Sequence, residues 1–182
     1  MADPRQAYST LIARLDAFFE RVQQRYPQAV RCGSGCADCC GRDLSLLPFE
    51  IERLLTAAAG LAPDCRQRVL ERAWRAQADA EAGCALLEDD RCLVYPARSV
   101  ICRTHGLPCL IENAAGKPEL SICPYNFDGL QRVDGDCVLD LEPVNQALAT
   151  INHLDCSARG AAPERMRISR ALIERLDGEG PA

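Results

Sequence analysis

Twelve cysteines against two histidines set the chemistry open to this 182-residue chain. Four of the sulfurs fall within residues 32–40 as Cys32-x3-Cys36-x2-Cys39-Cys40, in a stretch broken by Gly33, Gly35 and Gly41. Thiolates select soft metals: zinc, copper(I) or the irons of an iron-sulfur cluster. A short loop supplies several such ligands at little closure entropy. The plain alternative is a buried helical stripe of thiols packing as small hydrophobes. Gly33 and Gly35 weigh against it, since each glycine costs a helix interior about 1 kcal/mol. The spacing therefore predicts a ligand loop.

The same motif bears on the metal. A structural zinc site commonly draws on paired knuckles, and Cys36 with Cys39 makes one Cys-x2-Cys without a clean second. Adjacent Cys39 and Cys40 point in different directions, which strains a single tetrahedral ion but suits the separated corners of a cluster. A 4Fe-4S cluster is the favoured cofactor, with zinc the alternative.

A second group comprises Cys84, Cys92 and Cys102 with Tyr95, Arg98 and Arg103. Four thiolates around a divalent ion leave roughly two negative charges. Arg98 and Arg103, bracketing Cys102, are candidates to offset that charge by donating to the sulfurs; the other reading puts both on a solvated helix face. Tyr95 is either a donor to sulfur or a core residue. Cys109 and Cys123 lie near the ends of a proposed hairpin and either face each other as ligands or are buried thiols. Core packing is the reading for Cys65, Cys137 and Cys156. His105 reads as a polar loop residue rather than a nitrogen ligand, and His153 as structural.

Taken together, Cys-x3-Cys-x2-Cys-Cys and the downstream Cys92-x2-Tyr95-x2-Arg98-x3-Cys102-Arg103 resemble the YkgJ-type cysteine-cluster family, described as a zinc- or iron-chelating domain. The family pattern has Pro after the first Arg, where Ser99 stands here. The resemblance covers roughly residues 32–123 and implies a metal centre. A related cluster occurs in flagellin lysine methylases, so methyl transfer or redox chemistry at the cluster is the enzyme reading.

The elements that must position these residues are mainly helical. Asp3-Pro4 reads as an N-cap and first helical residue, and Tyr8, Leu11, Ile12, Leu15, Phe18, Phe19, Val22 and Tyr26 recur at helical spacing to Pro27. Pro48 to Gly60 and Pro63 to Gly83 predict two further helices forming a hairpin. Two β-hairpins are expected. One runs through Cys84 to Tyr95 about Glu88-Asp89-Asp90-Arg91; the other pairs 107–111 with 119–123, Pro108 confining its first arm to an edge. Cys137-Val138-Leu139 reads as strand. A helix follows Glu142-Pro143 with the stripe Val144, Leu148, Ile151 and Leu154, and Pro163 opens a last helix before a fraying tail at Gly178–Ala182. The expectation is one mainly α domain of residues 1–182, with a small irregular cysteine-rich centre and helical scaffolds at 4–26 and 142–177.

Composition bounds the rest. With 48% apolar and 26% charged residues the chain can bury a core. A formal charge of -5 and the absence of a Lys/Arg run give no attraction to nucleic acid. No segment approaches the roughly 20 apolar residues a membrane-spanning helix needs, and no secretory signal is visible. The cytoplasm is the expected compartment, and cysteine density there points to metal or redox chemistry rather than to the disulfides of a secreted domain.

Overall fold

Helix makes up 55% of the structure, which is mainly α as its apolar periodicity predicts. The computed structural model describes residues 3–33, 35–130 and 132–177; the tail expected at Gly178–Ala182 lies outside them. Among the described residues the helices are α1 Pro4–Arg25, α2 Pro48–Ala59, α3 Pro63–Ala78, α4 Val100–Thr104, α5 Leu141–Arg159 and α6 Ile168–Leu176. The strands are β1 Ser45–Leu46, β2 Leu87–Glu88, β3 Arg91–Cys92, β4 Cys109–Glu112, β5 Pro118–Ser121, β6 Leu139–Asp140 and β7 Met166–Arg167. The chain clusters as two compact units: Met1–Gly33 with Val100–Leu154, and Ser34–Ser99 with Asp155–Ala182.

In the first unit Asp3 caps α1 by accepting the Arg5 N–H at 3.0 Å, and Tyr8, Leu15 and Val22 form the buried stripe. α4 packs on α1, fastened by an Arg103–Asp16 ion pair of 2.5 Å. β4 and β5 pair about a turn in which Asn113 Oδ1 accepts the N–H groups of Ala115 and Lys117. β4 is the central strand of the order β5-β4-β6, not an edge as Pro108 suggested. Pro108 precedes the strand, where its missing N–H is not needed, and its carbonyl accepts the Leu139 N–H at 2.8 Å. Cys137 closes a 3-10 turn, Gly135–Cys137, rather than a strand. On α5, Val144, Leu148 and Ile151 are buried, whereas Leu154 is 40% exposed, so the apolar stripe ends a turn early.

The second unit is built on a core of Leu46, Ile51, Leu54, Leu55, Val69, Leu86, Val94 and Leu172 with their neighbours. α6 packs against both α3 and α2, and is the main partner of α3 in place of the expected α2–α3 hairpin. α3 stops at Ala78; Asp79 turns the chain, its carboxylate accepting the Glu81 N–H at 3.0 Å, instead of the helix reaching Gly83. Pro163 does not open the last helix, because Met166–Arg167 first pairs antiparallel with Ser45–Leu46. α6 begins at Ile168.

The start of α6 is set by a buried carboxylate. Asp43, its side chain fully buried, accepts from Arg167 Nε at 2.8 Å, from the Ser169 N–H at 3.1 Å and from Ser169 Oγ. Arg167 also donates to the carbonyl of Ala76. Asp43 thus serves α6 as an N-terminal cap from a distant part of the sequence. Removing one partner of a buried charged pair costs about 3–5 kcal/mol. Asp43→Ala is expected to destabilise the protein on that scale in urea unfolding followed by circular dichroism, and a loss no larger than that of an exposed ion pair, about 1 kcal/mol or less, would contradict the role.

Candidate metal centre

The two units divide the cysteines between them. Cys36, Cys39, Cys40, Cys84 and Cys92 belong to the second unit, and Cys32, Cys102, Cys109 and Cys123 to the first. All twelve stand outside disulfides.

In the second unit the described residues of the glycine-punctuated stretch form no α-helix. The regular piece among them is the 3-10 turn Asp38–Cys40, closed by the Cys40 N–H on the Ala37 carbonyl at 2.8 Å. Cys40 then offers its carbonyl to the Cys84 N–H at 2.8 Å, and the Asp43 N–H reaches the Ala80 carbonyl at 3.0 Å. Gly83 makes this approach possible. Its φ of +91° is open to glycine, and a methyl there would sit 3.2 Å from the Cys40 carbonyl. Beyond it, β2 and β3 form the expected hairpin, shorter than its pattern, with Leu87 opposite Cys92 and with Asp89 and Asp90 at φ 48° and 57°. Two positive φ values match a two-residue turn of the hairpin-favouring kind.

Cys92 is half-buried. Burial pushes its thiol above the ordinary range and Cys39 adds to the rise, while the Arg98 charge pulls the other way. The Arg98 guanidinium lies 3.4 Å from the Tyr95 ring centroid, and Nε donates to the Tyr95 carbonyl at 3.1 Å. Tyr95 is 44% exposed, which removes the core reading of that residue. Arg103, with its side chain only 10% exposed and paired to Asp16, is not on a solvated face either.

In the first unit Cys32 is half-buried, and its Sγ accepts from Asn126 Nδ2 at 3.1 Å. Asn126 Nδ2 also donates to the Gly106 carbonyl at 2.6 Å, and its Oδ1 accepts the Arg31 N–H at 2.9 Å. A methyl built on Gly106 would overlap Cys32 Sγ, so only glycine fits that position. Cys102, half-buried, lies on α4. Cys109 is buried, its S–H donating to the Thr104 carbonyl at 3.4 Å, and burial raises its thiol to about 11. Ser121, not Cys123, stands opposite Cys109 in the hairpin, because the strand pair ends there. Cys137 and Cys156 are buried, as core packing predicts, and Cys65 is half-buried in the first turn of α3. His105 and His153 are both exposed.

The donor set, soft thiols gathered on adjoining segments, fits a soft metal; the side chains do not converge on one, for among the described residues no three His, Cys, Asp or Glu are grouped to hold an ion. No helix among those residues is long and apolar enough to cross a membrane. Comparison with protein-family models, with curated proteins and with solved structures finds no match.

Asn126 and Gly106 escape the sequence reading, and Gly83 enters it only as a helix end. Nothing marks Asn126 beyond its place after Pro124-Tyr125, where it reads as an ordinary turn residue. Glu88 escapes it as well: paired to Arg68 at 2.7 Å and to Arg72 at 3.0 Å, it fastens the Cys92 hairpin to α3. The hydrogen bond from Arg68, then that from Arg72, hold its carboxyl at about 2, below the ordinary 4.5. A depressed carboxylate lends stability that is complete above its unfolded value and is lost as the folded value is approached from above. The hairpin is thus expected to loosen between about pH 4.5 and pH 2. Amide exchange of Leu87 and Cys92 across that window checks it, with Glu88→Gln removing the pH dependence.

Proposed function

We propose that this chain is a thiolate metal-binding protein, and that its centre is an iron-sulfur cluster, of the 4Fe-4S kind, in preference to zinc. Its ligands are drawn from Cys36, Cys39, Cys40, Cys84 and Cys92, all in the second unit. What carries the reading is the backbone hydrogen bond from Cys84 to Cys40, which joins two distant cysteine-bearing stretches at their sulfur-bearing residues. The electrostatic coupling of Cys39 with Cys92 supports it. So does the resemblance of the motifs to the YkgJ-type family.

The preference for a cluster rests on Cys39 and Cys40. Adjacent side chains in a 3-10 turn diverge, and separate iron corners accept divergent sulfurs better than one tetrahedral ion does. When bound, such a group supplies one-electron chemistry or a structural crosslink. The residues of the chain would do the rest: Arg98 would offset thiolate charge near Cys92, and the Cys84–Cys40 backbone contact holds together the two segments whose thiols would bind the group. A reducing cytoplasm keeps those thiols available.

Purification without oxygen, followed by assay of iron, sulfide and zinc per chain, is the test. Brown protein with equal iron and sulfide is expected. Cys39→Ser, Cys84→Ser and Cys92→Ser should each lower the metal content, and Cys137→Ser and Cys156→Ser should leave it unchanged. Colourless protein with stoichiometric zinc would replace the cluster by zinc; protein binding neither would overturn the reading.

A further inference from the structure

We propose that the second unit carries a binding site for a small organic anion, an apolar body with a carboxylate or phosphate head, anchored by Arg165. The site is a cavity of about 690 Å³ lined by α2, α6 and the segment that leads from α5 into β7. Its lining holds no cysteine among the described residues, which makes it independent of the metal-binding reading.

Cavities that take small molecules run from about 300 to 1,000 Å³ and combine apolar walls with a few placed polar groups. This one has both. Buried Ile51, Leu55 and Ala171 and half-buried Met166 supply the apolar wall. Arg159, Arg165, Arg167, Arg170 and Arg175 line the same space. Four of the five guanidinium groups are matched by carboxylates: Arg159 by Asp155, Arg167 by Asp43, Arg170 by Glu174 and Arg175 by Glu52. Arg165 is different. Among the described residues it has no carboxylate partner, and its hydrogen bond from Nη1 to the Ser45 carbonyl at 3.0 Å ties it to the wall while leaving further N–H groups for a ligand.

Net charge is not what draws the anion. Glu52, Glu164 and Glu174 in the lining, with Asp43 and Asp155, equal the five arginines. What the cavity offers is a planar fork with spare donors, the geometry that meets the paired oxygens of a carboxylate or phosphate. A neutral apolar molecule would leave that fork unused, and a bare inorganic anion would leave the apolar wall uncovered. A molecule with both parts satisfies both.

The test adds three naphthalene probes to the full-length protein as purified: 1-naphthoate, 1-naphthyl phosphate and uncharged 1-naphthalenemethanol, with affinities from isothermal titration calorimetry. At least one anion should bind saturably and about tenfold or more tighter than the alcohol; the carboxylate and phosphate arms tell which head group the site takes. Arg165→Gln should abolish the preference. Arg75→Gln, which changes an exposed arginine outside the lining, should keep it. Equal affinity for all three probes, no saturable binding of either anion up to about 1 mM, or a preference that survives Arg165→Gln would overturn the anion site and leave the metal-binding reading untouched. Should Arg165→Gln fail to fold, the wild-type protein decides. Met166 lines the cavity and is the only methionine besides Met1, so its methyl resonance is readily assigned; it should move on addition of the preferred anion, and a fixed resonance would overturn the site.

Discussion

A carboxylate taken out of water has to be matched by donors where it lies, and Asp43 imposes that demand on the second unit. Arg167 and Ser169 answer it from more than a hundred residues away. Their answer determines where α6 starts and brings β7 onto β1. It also pins the cysteine loop: only Gly41 and Arg42 separate Cys40 from the buried charge. With the Cys40 carbonyl bound to Cys84, the end of the loop is held at two points. Its thiols need no hydrophobic burial to stay in place.

Glycine works at two cysteines, for different reasons. At Gly83 the backbone itself needs a positive φ for the chain to turn past Cys40. At Gly106 the requirement is space, because any side chain would occupy the position of Cys32 Sγ. In the sequence each is a single glycine, Gly83 at the end of a helical pattern and Gly106 between Cys102 and Cys109. Their consequences under mutation differ in kind: alanine at Gly83 strains the main chain, whereas alanine at Gly106 displaces a sulfur.

Local signals were legible where local energetics decide. The Asp3 cap, Pro48 and Gly60 as bounds of α2, and the Asp89-Asp90 turn are all set by residues within a few positions of one another. The failures share a cause. Pro163 reads as a helix start until β7 is claimed by β1, Pro108 reads as an edge marker until its carbonyl is claimed by β6, and Leu154 reads as core until α5 outruns the surface that covers it. Each outcome depends on a partner far along the chain. The same holds at the site: the spacing of Cys36, Cys39 and Cys40 singles out a loop, but nothing in it assigns Cys32 to one compact unit and its three companions to the other.

Burial sorts the twelve thiols by chemistry. Metal ligation and nucleophilicity need the thiolate, and an apolar surrounding opposes it. Cys109, inside the cluster of Val22, Leu107 and Phe127, is raised to about 11 and donates its proton to a carbonyl; near neutral pH it is a small hydrophobe with an S–H, and a metal would have to displace that proton against both effects. Cys137, also buried and raised by its surroundings, belongs with it. Cys32 is half-buried, and its sulfur accepts from Asn126 Nδ2. A hydrogen bond runs from the sulfur at Cys109 and toward it at Cys32, although the two sit in the same unit and look equivalent in a count of cysteines.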